Sequence, residues 1–178
     1  MIVRALLLLA AVAAGLYGLD QGAKYLITQN LEIGDLVPVL GPVLQFNYVT
    51  NSGAAFSFAS GFTWIFSAVA AAVALVIVIF APRIRSLGWA TMFGLVLGGA
   101  LGNLTDRLFR EPGFGVGHVV DFIQIYGFPA IFNVADVGIT FSMVLFLLLS
   151  LRGVGLDGTR TPMVKTTPKA TPKTKSPE

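Results

Sequence analysis

Cysteine is absent, histidine occurs once, and only 12% of the 178 residues are charged. Without cysteine there is no disulfide framework and no thiolate nucleophile, and a single imidazole excludes a His-rich metal cluster. An HExxH zinc motif is also missing, and His118 has no partner serine in a recognisable motif. What fills the chain instead is apolar: 55% of residues are hydrophobic, and the mean hydropathy of +0.80 lies outside the range of soluble globular domains. One integral membrane domain is expected. The net charge of +3 does not point to nucleic acid, because the basic residues sit in short loops and one tail, where they report membrane orientation.

Four apolar runs are long enough to span a bilayer. The first runs from Ile2 to about Leu19 behind Arg4; a cleavable signal peptide is the competing reading, but the run continues past Ala13 and three more spans follow. The others cover Phe62 to Phe80, Trp89 to about Phe109, and Phe132 to Leu151. Arg4, Arg83, Arg85 and the tail from Arg152 fall on one side, which the positive-inside rule makes cytoplasmic, with both termini. Residues 29–60 and the loop of residues 110–131 then face outside together. The former carries Gly34, Pro38, Gly41 and Pro42 and alternates like short strands in LQFNYV and GAAFSFA. Such a segment is too short for a core of its own and should lie on the membrane or the helices. The fold class expected is an all-α membrane protein of four transmembrane helices with a small extracytoplasmic β element. Residues 1–152 form that domain, and residues 153–178, rich in Thr, Pro and Lys, form a disordered basic tail.

Ionisable residues inside such segments are costly and mark function by default. Asp20 and Lys24 share a helix face at the outer end of the first span, where a snorkelling interfacial pair is the plain reading. On the third span Asn103, Asp106 and Arg107 share a face, as do Asn133 and Asp136 on the fourth. Asp121 lies in the connecting loop, in the apolar run VVDFI. Gly94, Gly98, Gly99 and Gly102 read as close helix packing; Gly53 and its two alanines read likewise, with room for a substrate backbone. Several acids qualify for a catalytic pair. Asp106 has Arg107 beside it and Asp20 has Lys24, whereas Asp121 and Asp136 lack a sequence-adjacent cation and suit a pair sharing one proton. Such a pair would activate water against a peptide bond without metal or covalent intermediate. A proton relay in a small proton-coupled membrane transporter would use the same chemistry, and spacing alone does not separate the two.

Five blocks are specific enough to name a family: DQGAK (Asp20 to Lys24), NYVTNSGAAFSF (Asn47 to Phe58), GGALGNLTDR (Gly98 to Arg107), VVDFI (Val119 to Ile123) and FNVAD (Phe132 to Asp136). In order and spacing the chain resembles the lipoprotein signal peptidases, the type II signal peptidases of bacterial inner membranes. The resemblance implies an aspartyl endopeptidase that removes signal peptides from prolipoproteins on the amino side of a diacylglyceryl-modified cysteine, and that the cyclic peptide globomycin blocks. It assigns the catalytic pair to Asp121 and Asp136. Asp20, Lys24, Asn51, Gly53, Asn103, Arg107, Asn133 and Ala135 match positions that line or support the site; Asn103, Asn133 and Arg107 are expected to hold the carboxylates and substrate by hydrogen bonding. An extracytoplasmic sheet cradling the substrate is expected over Gln45 to Ala59. The expected partners are a lipidated prolipoprotein and membrane phospholipid, with no nucleic acid, metal or cofactor, and the protein is expected to be a monomer. Arg110 to Gly117 is longer and richer in glycine than the family's usual link, the tail lies outside the family core, and His118 reads as a solvated loop residue.

Overall fold

Helices that must satisfy their backbone in lipid and still pack closely need small residues where they touch. The third span shows this most plainly. A Cβ on Gly98 would stand 2.6 Å from the backbone oxygen of Ala13, and one on Gly102 2.6 Å from Oδ2 of Asp20. Bare backbone along this stripe therefore lets the first and third helices approach to a distance no larger residue permits. In the computed structural model, which describes residues 2–53 and 63–160, these are α1 (Ile2–Asn30) and α3 (Leu87–Phe109), with α2 (Thr63–Phe80) and α4 (Val134–Leu151) completing the helical set.

Half of the most apolar window of α3 is buried inside the protein, against 17% for α1 and α4 and 22% for α2. That difference makes α3 the central helix, with α1, α2 and α4 packed on it. The shared core joins Ala5, Leu9 and Ala13 of α1 with Ile77 of α2, Trp89 and Met92 of α3 and Leu149 of α4. The outward faces remain apolar, as Leu7, Val76, Ile79, Phe141 and Leu147 illustrate, the pattern of helices whose surroundings are hydrocarbon. All four are long and apolar enough to cross a membrane.

Beyond the C-terminal ends of α1 and α3 lies one antiparallel sheet of β1 (Leu36–Leu40), β2 (Leu44–Asn51), β3 (Val119–Ile125) and β4 (Ile131–Phe132), in that order across the sheet. Here the structure revises four expectations. The VVDFI run is a strand and not a loop, because β2 supplies it with a partner: Val49 opposes Asp121 and Asn51 opposes Val119. The β element therefore draws on both of the segments that link the helices at this end. Residues 54–62, which include the AAFSFA part of the expected sheet, lie outside the described residues. Helix α1 continues to Asn30 instead of stopping near Leu19; at 1.5 Å per residue its 29 residues extend about 43 Å, more than a bilayer core requires. Its last turns support the sheet, where Ile27 packs with Val120 and Phe122, flanked by Phe46 and Tyr48. The fourth helix starts at Val134, since Phe132 belongs to β4 and Asn133 is the cap.

The supposed tail is ordered at its start. Gly153 to Arg160 folds back on the loop between α2 and α3: the Trp89 indole donates to the Val154 carbonyl at 2.8 Å, and the backbone N–H groups of Arg85 and Ser86 donate to Leu156. Residues 161–178 lie outside the described residues.

Candidate active site

Asn133 ends β4 in an extended conformation and caps α4. Its Oδ1 accepts from the Asp136 N–H at 3.0 Å while its own N–H donates to Asp136 Oδ2 at 3.2 Å, a capping box with an acid in the third helical position. With its oxygen so occupied, the amide nitrogen points the other way. It donates to Asp121 Oδ1 at 2.6 Å, and also lies within bonding distance of Asn103 Oδ1 and the Val120 carbonyl. One asparagine thus holds an acid of the sheet and an acid of a helix together.

The remaining carboxylate oxygens follow the same rule. Asn51 accepts the Gly53 N–H on Oδ1, which leaves its Nδ2 to donate to Asp121 Oδ2 at 2.8 Å. Asn103 accepts from Lys24 on Oδ1 and donates to Asp136 Oδ1 at 2.9 Å. All four oxygens of the pair therefore receive one N–H each, every one from a neutral amide. Each keeps a lone pair for a proton or a water molecule. Asp121 is 2% exposed, and burial pushes its carboxyl up from 3.8 to about 6. Nearby Asp136 adds to the rise; the amides of Asn51 and Asn133 and the charge of Lys24 oppose it.

Behind this pair lies a fully buried ion cluster. Lys24 lies 2.8 Å from both Asp20 and Asp106, with all three side chains at 0% exposure. The snorkelling reading of Asp20 and Lys24 is thus corrected: because α1 runs on to Asn30, both lie inside the protein against α3. Asp106 does not pair with Arg107, since consecutive helical residues point apart; its partners are Lys24 and, one turn on, Arg110 at 2.7 Å. Asp20 Oδ1 also accepts the Ala135 N–H at 2.9 Å, satisfying an orphan donor in the first turn of α4 and giving Ala135 its place.

Arg107 departs from expectation. Among the described residues it makes no hydrogen bond to either acid, and its buried Nε has no partner. The guanidinium instead lies 5.6 Å from the Phe66 ring centroid, within cation–π reach. Phe66 in turn abuts Gly53, which has φ +88 and where a Cβ would fall 2.6 Å from that ring. Glycine is required there on both counts.

Of the supporting residues expected from the sequence, Asn51, Asn103 and Asn133 bond the acids directly, Lys24 and Gly53 reach them through one asparagine, Asp20 and Ala135 are bonded to each other behind them, and Arg107 is bonded to neither acid. Gln21 and Arg110 were missed: Gln21 donates to Gly102 and Asp20 and reaches Asp106. An amide in an otherwise apolar helix was the available signal. His118 is half-buried and lines a separate hollow of about 570 Å³ with Tyr48, Thr50, Arg110 and Glu111. A second hollow of about 470 Å³ begins at Asp136 and runs along Val137, Phe141 and Val144 of α4, closed by Phe128 and Phe132. Its walls are almost wholly apolar.

The sequence profile described as signal peptidase (SPase) II matches residues 12–152. A lipoprotein signal peptidase of Leifsonia xyli subsp. xyli is 62% identical over 158 residues, covering 89% of this chain and 73% of the relative. A lipoprotein signal peptidase of Streptomyces coelicolor is 48% identical over 156 residues, covering 88% and 76%. Among solved structures, a bacterial membrane enzyme determined by the in meso method at 2.3 Å resolution superposes with a TM-score of 0.69 at 32% identity, covering 79% of this chain and 85% of that one.

Proposed function

The chain belongs to the signal peptidase II family, and on that premise we propose that it removes signal peptides from lipid-modified prolipoproteins with Asp121 and Asp136 as the catalytic pair. The observation that carries this reading is the double grip of Asn133, bonded to Asp121 through its side chain and to Asp136 through the capping box. Two carboxyls held so close cannot both ionise, so they share a proton. Asp121, the more desolvated, is the member whose surroundings favour it.

Water bound between the acids attacks the scissile carbonyl carbon. The ionised carboxylate takes a proton from the water while the protonated carboxyl gives its own to the carbonyl oxygen, forming a neutral gem-diol. Collapse breaks the C–N bond, the departing nitrogen is protonated from the pair, and the shared proton is restored. The apolar hollow beginning at Asp136 suits the lipid of a diacylglyceryl-cysteine, which would set the cut on the amino side of that residue. The exposed apolar strand β1, with Leu36, Val39 and Leu40, would rest among outer phospholipids. Basic residues at the opposite helix ends set both termini in the cytoplasm of the bacterial cell and the acids on the outer side. One copy supplies all the groups named, consistent with a monomer. A transporter would need ionisable groups spread through the depth of several helices, whereas among the described residues the buried ionisable groups of the helices are Asp20 and Lys24 of α1 and Asp106 and Arg107 of α3, gathered in one cluster beside the sheet.

The test is cleavage of a lipidated prolipoprotein by purified, membrane-reconstituted protein. Asp121→Asn and Asp136→Asn should each lose all measurable cleavage while inserting normally, and an unlipidated substrate should be cut poorly. Cleavage retained by either single variant sinks the assignment of the pair.

A further inference from the structure

Asp106 is bonded to neither acid of the pair, yet two separate routes lead from its carboxylate to them. Its Oδ2 accepts the Val120 N–H at 3.2 Å, one residue before Asp121, on a strand that has only the two-residue β4 on its far side. The same Oδ2 lies 2.8 Å from Lys24, whose ammonium donates to Asn103 Oδ1 at 3.0 Å and so turns the Asn103 amide nitrogen towards Asp136. Its other oxygen is held by Arg110 at 2.7 Å and approached by Gln21 at 3.5 Å. Bonds from α1, α3 and β3 thus converge on one carboxylate at 0% exposure.

We propose that Asp106 is a positioning residue for the cleavage reaction, setting the separation of Asp121 and Asp136 by anchoring β3 at Val120 and by orienting Asn103 through Lys24. This rests on the reading of Asp121 and Asp136 as the catalytic pair. A fully buried carboxylate with a Lys and an Arg already beside it would satisfy charge alone; the bond to a strand N–H and the directed use of Lys24 towards Asn103 add geometry. The ionisable groups around it are Lys24 and Asp20 from α1, Arg107 from α3, Arg110 at the C-cap of α3 and Asp121 at the end of the first route.

Asp106→Asn retains the volume and one acceptor but loses the charge, and it cannot serve Val120 and Lys24 on one oxygen while accepting from Arg110 on the other. With full-length enzyme in proteoliposomes and a lipidated prolipopeptide, kcat of the folded fraction should fall about 100-fold, the scale of a misplacement near 1 Å, while KM changes less than threefold. The alkaline limb of the pH–rate profile should also move to lower pH, because the Lys24 charge, then offset by Asp20 alone, favours loss of the shared proton. Asp106→Glu keeps the charge and moves the carboxylate by one methylene; kcat should fall with the alkaline limb unmoved. A folded Asp106→Asn protein with wild-type kcat and pH profile overturns the proposal and leaves Asp106 as a stabilising ion only. Should Asp106→Asn not fold, wild-type kcat in Asp106→Glu overturns it equally. Asp121→Asn in the same assay separates the premises: activity there defeats the pair itself, whereas loss there beside normal Asp106 variants defeats only the role of Asp106.

Discussion

At the scale of single residues, the protein solves a desolvation problem with amides. The Asp121 carboxylate, at 2% exposure, is costly when charged, and two neutral N–H groups, from Asn51 and Asn133, lower that cost without adding a positive charge at its oxygens. Asp121 binds its proton more tightly folded than unfolded, so the associated stability is complete below its ordinary range near 3.8 and is lost as pH rises through about 6. Relative to Asp121→Asn, the wild-type protein should therefore lose about 3 kcal/mol of stability between pH 3.5 and pH 7; detergent-phase unfolding curves at both values measure it. In the free enzyme kcat/KM should decline tenfold per unit above about pH 6, with the kcat limb at higher pH once bound lipid excludes more water. Both effects belong to one side chain. The pairing of Asp121 with Asp136 was accessible from the sequence by elimination and resemblance. The partners of Asp106 were read wrongly from adjacency: Arg110, four residues on, was legible by helical spacing, whereas Lys24 comes from another helix and no local pattern points to it.

At the scale of elements, the four spans were legible because hydrocarbon imposes length and composition on each helix independently. Their ends beside the sheet were not. The extension of α1 to Asn30 depends on Ile27 finding Val120 and Phe122, and β3 exists because β2 lies beside it. Neither partner is local in sequence, so local pattern predicted a helix end and a loop. The glycine stripe, in contrast, was legible as close packing. Replacing Gly98 by Leu would force α1 from α3 at Ala13 and with it weaken the contact of Lys24 with Asn103. Thermal unfolding in detergent should show a loss of about 2–3 kcal/mol, and cleavage should fall with it. A Gly98→Leu protein of wild-type stability would contradict this account of the helix interface.

For the whole molecule, the boundary between working domain and appendage falls later than composition implied. Gly153 to Arg160 is polar and glycine-rich, the mark of a tail, yet it accepts hydrogen bonds from Trp89, Arg85 and Ser86. A chain ending after Arg160 should cleave substrate at the wild-type rate. One ending after Arg152 would leave the buried Trp89 indole without an acceptor and should lose about 1–3 kcal/mol of stability. Comparing the melting temperatures and initial rates of the two truncations decides where the domain stops.

The sheet also dictates a schedule. Asn51 and Asp121, bonded to each other, are 70 residues apart, and α2 and α3 lie between them. At ribosomal rates their synthesis is separated by roughly 4 to 14 s. Through that interval β2 has no β3 to pair with and Asn51 no Asp121 to hold, and the last donor arrives only when Asn133 emerges and α4 begins. The assembly around Asp121 and Asp136 is consequently among the last parts of the described chain to be completed.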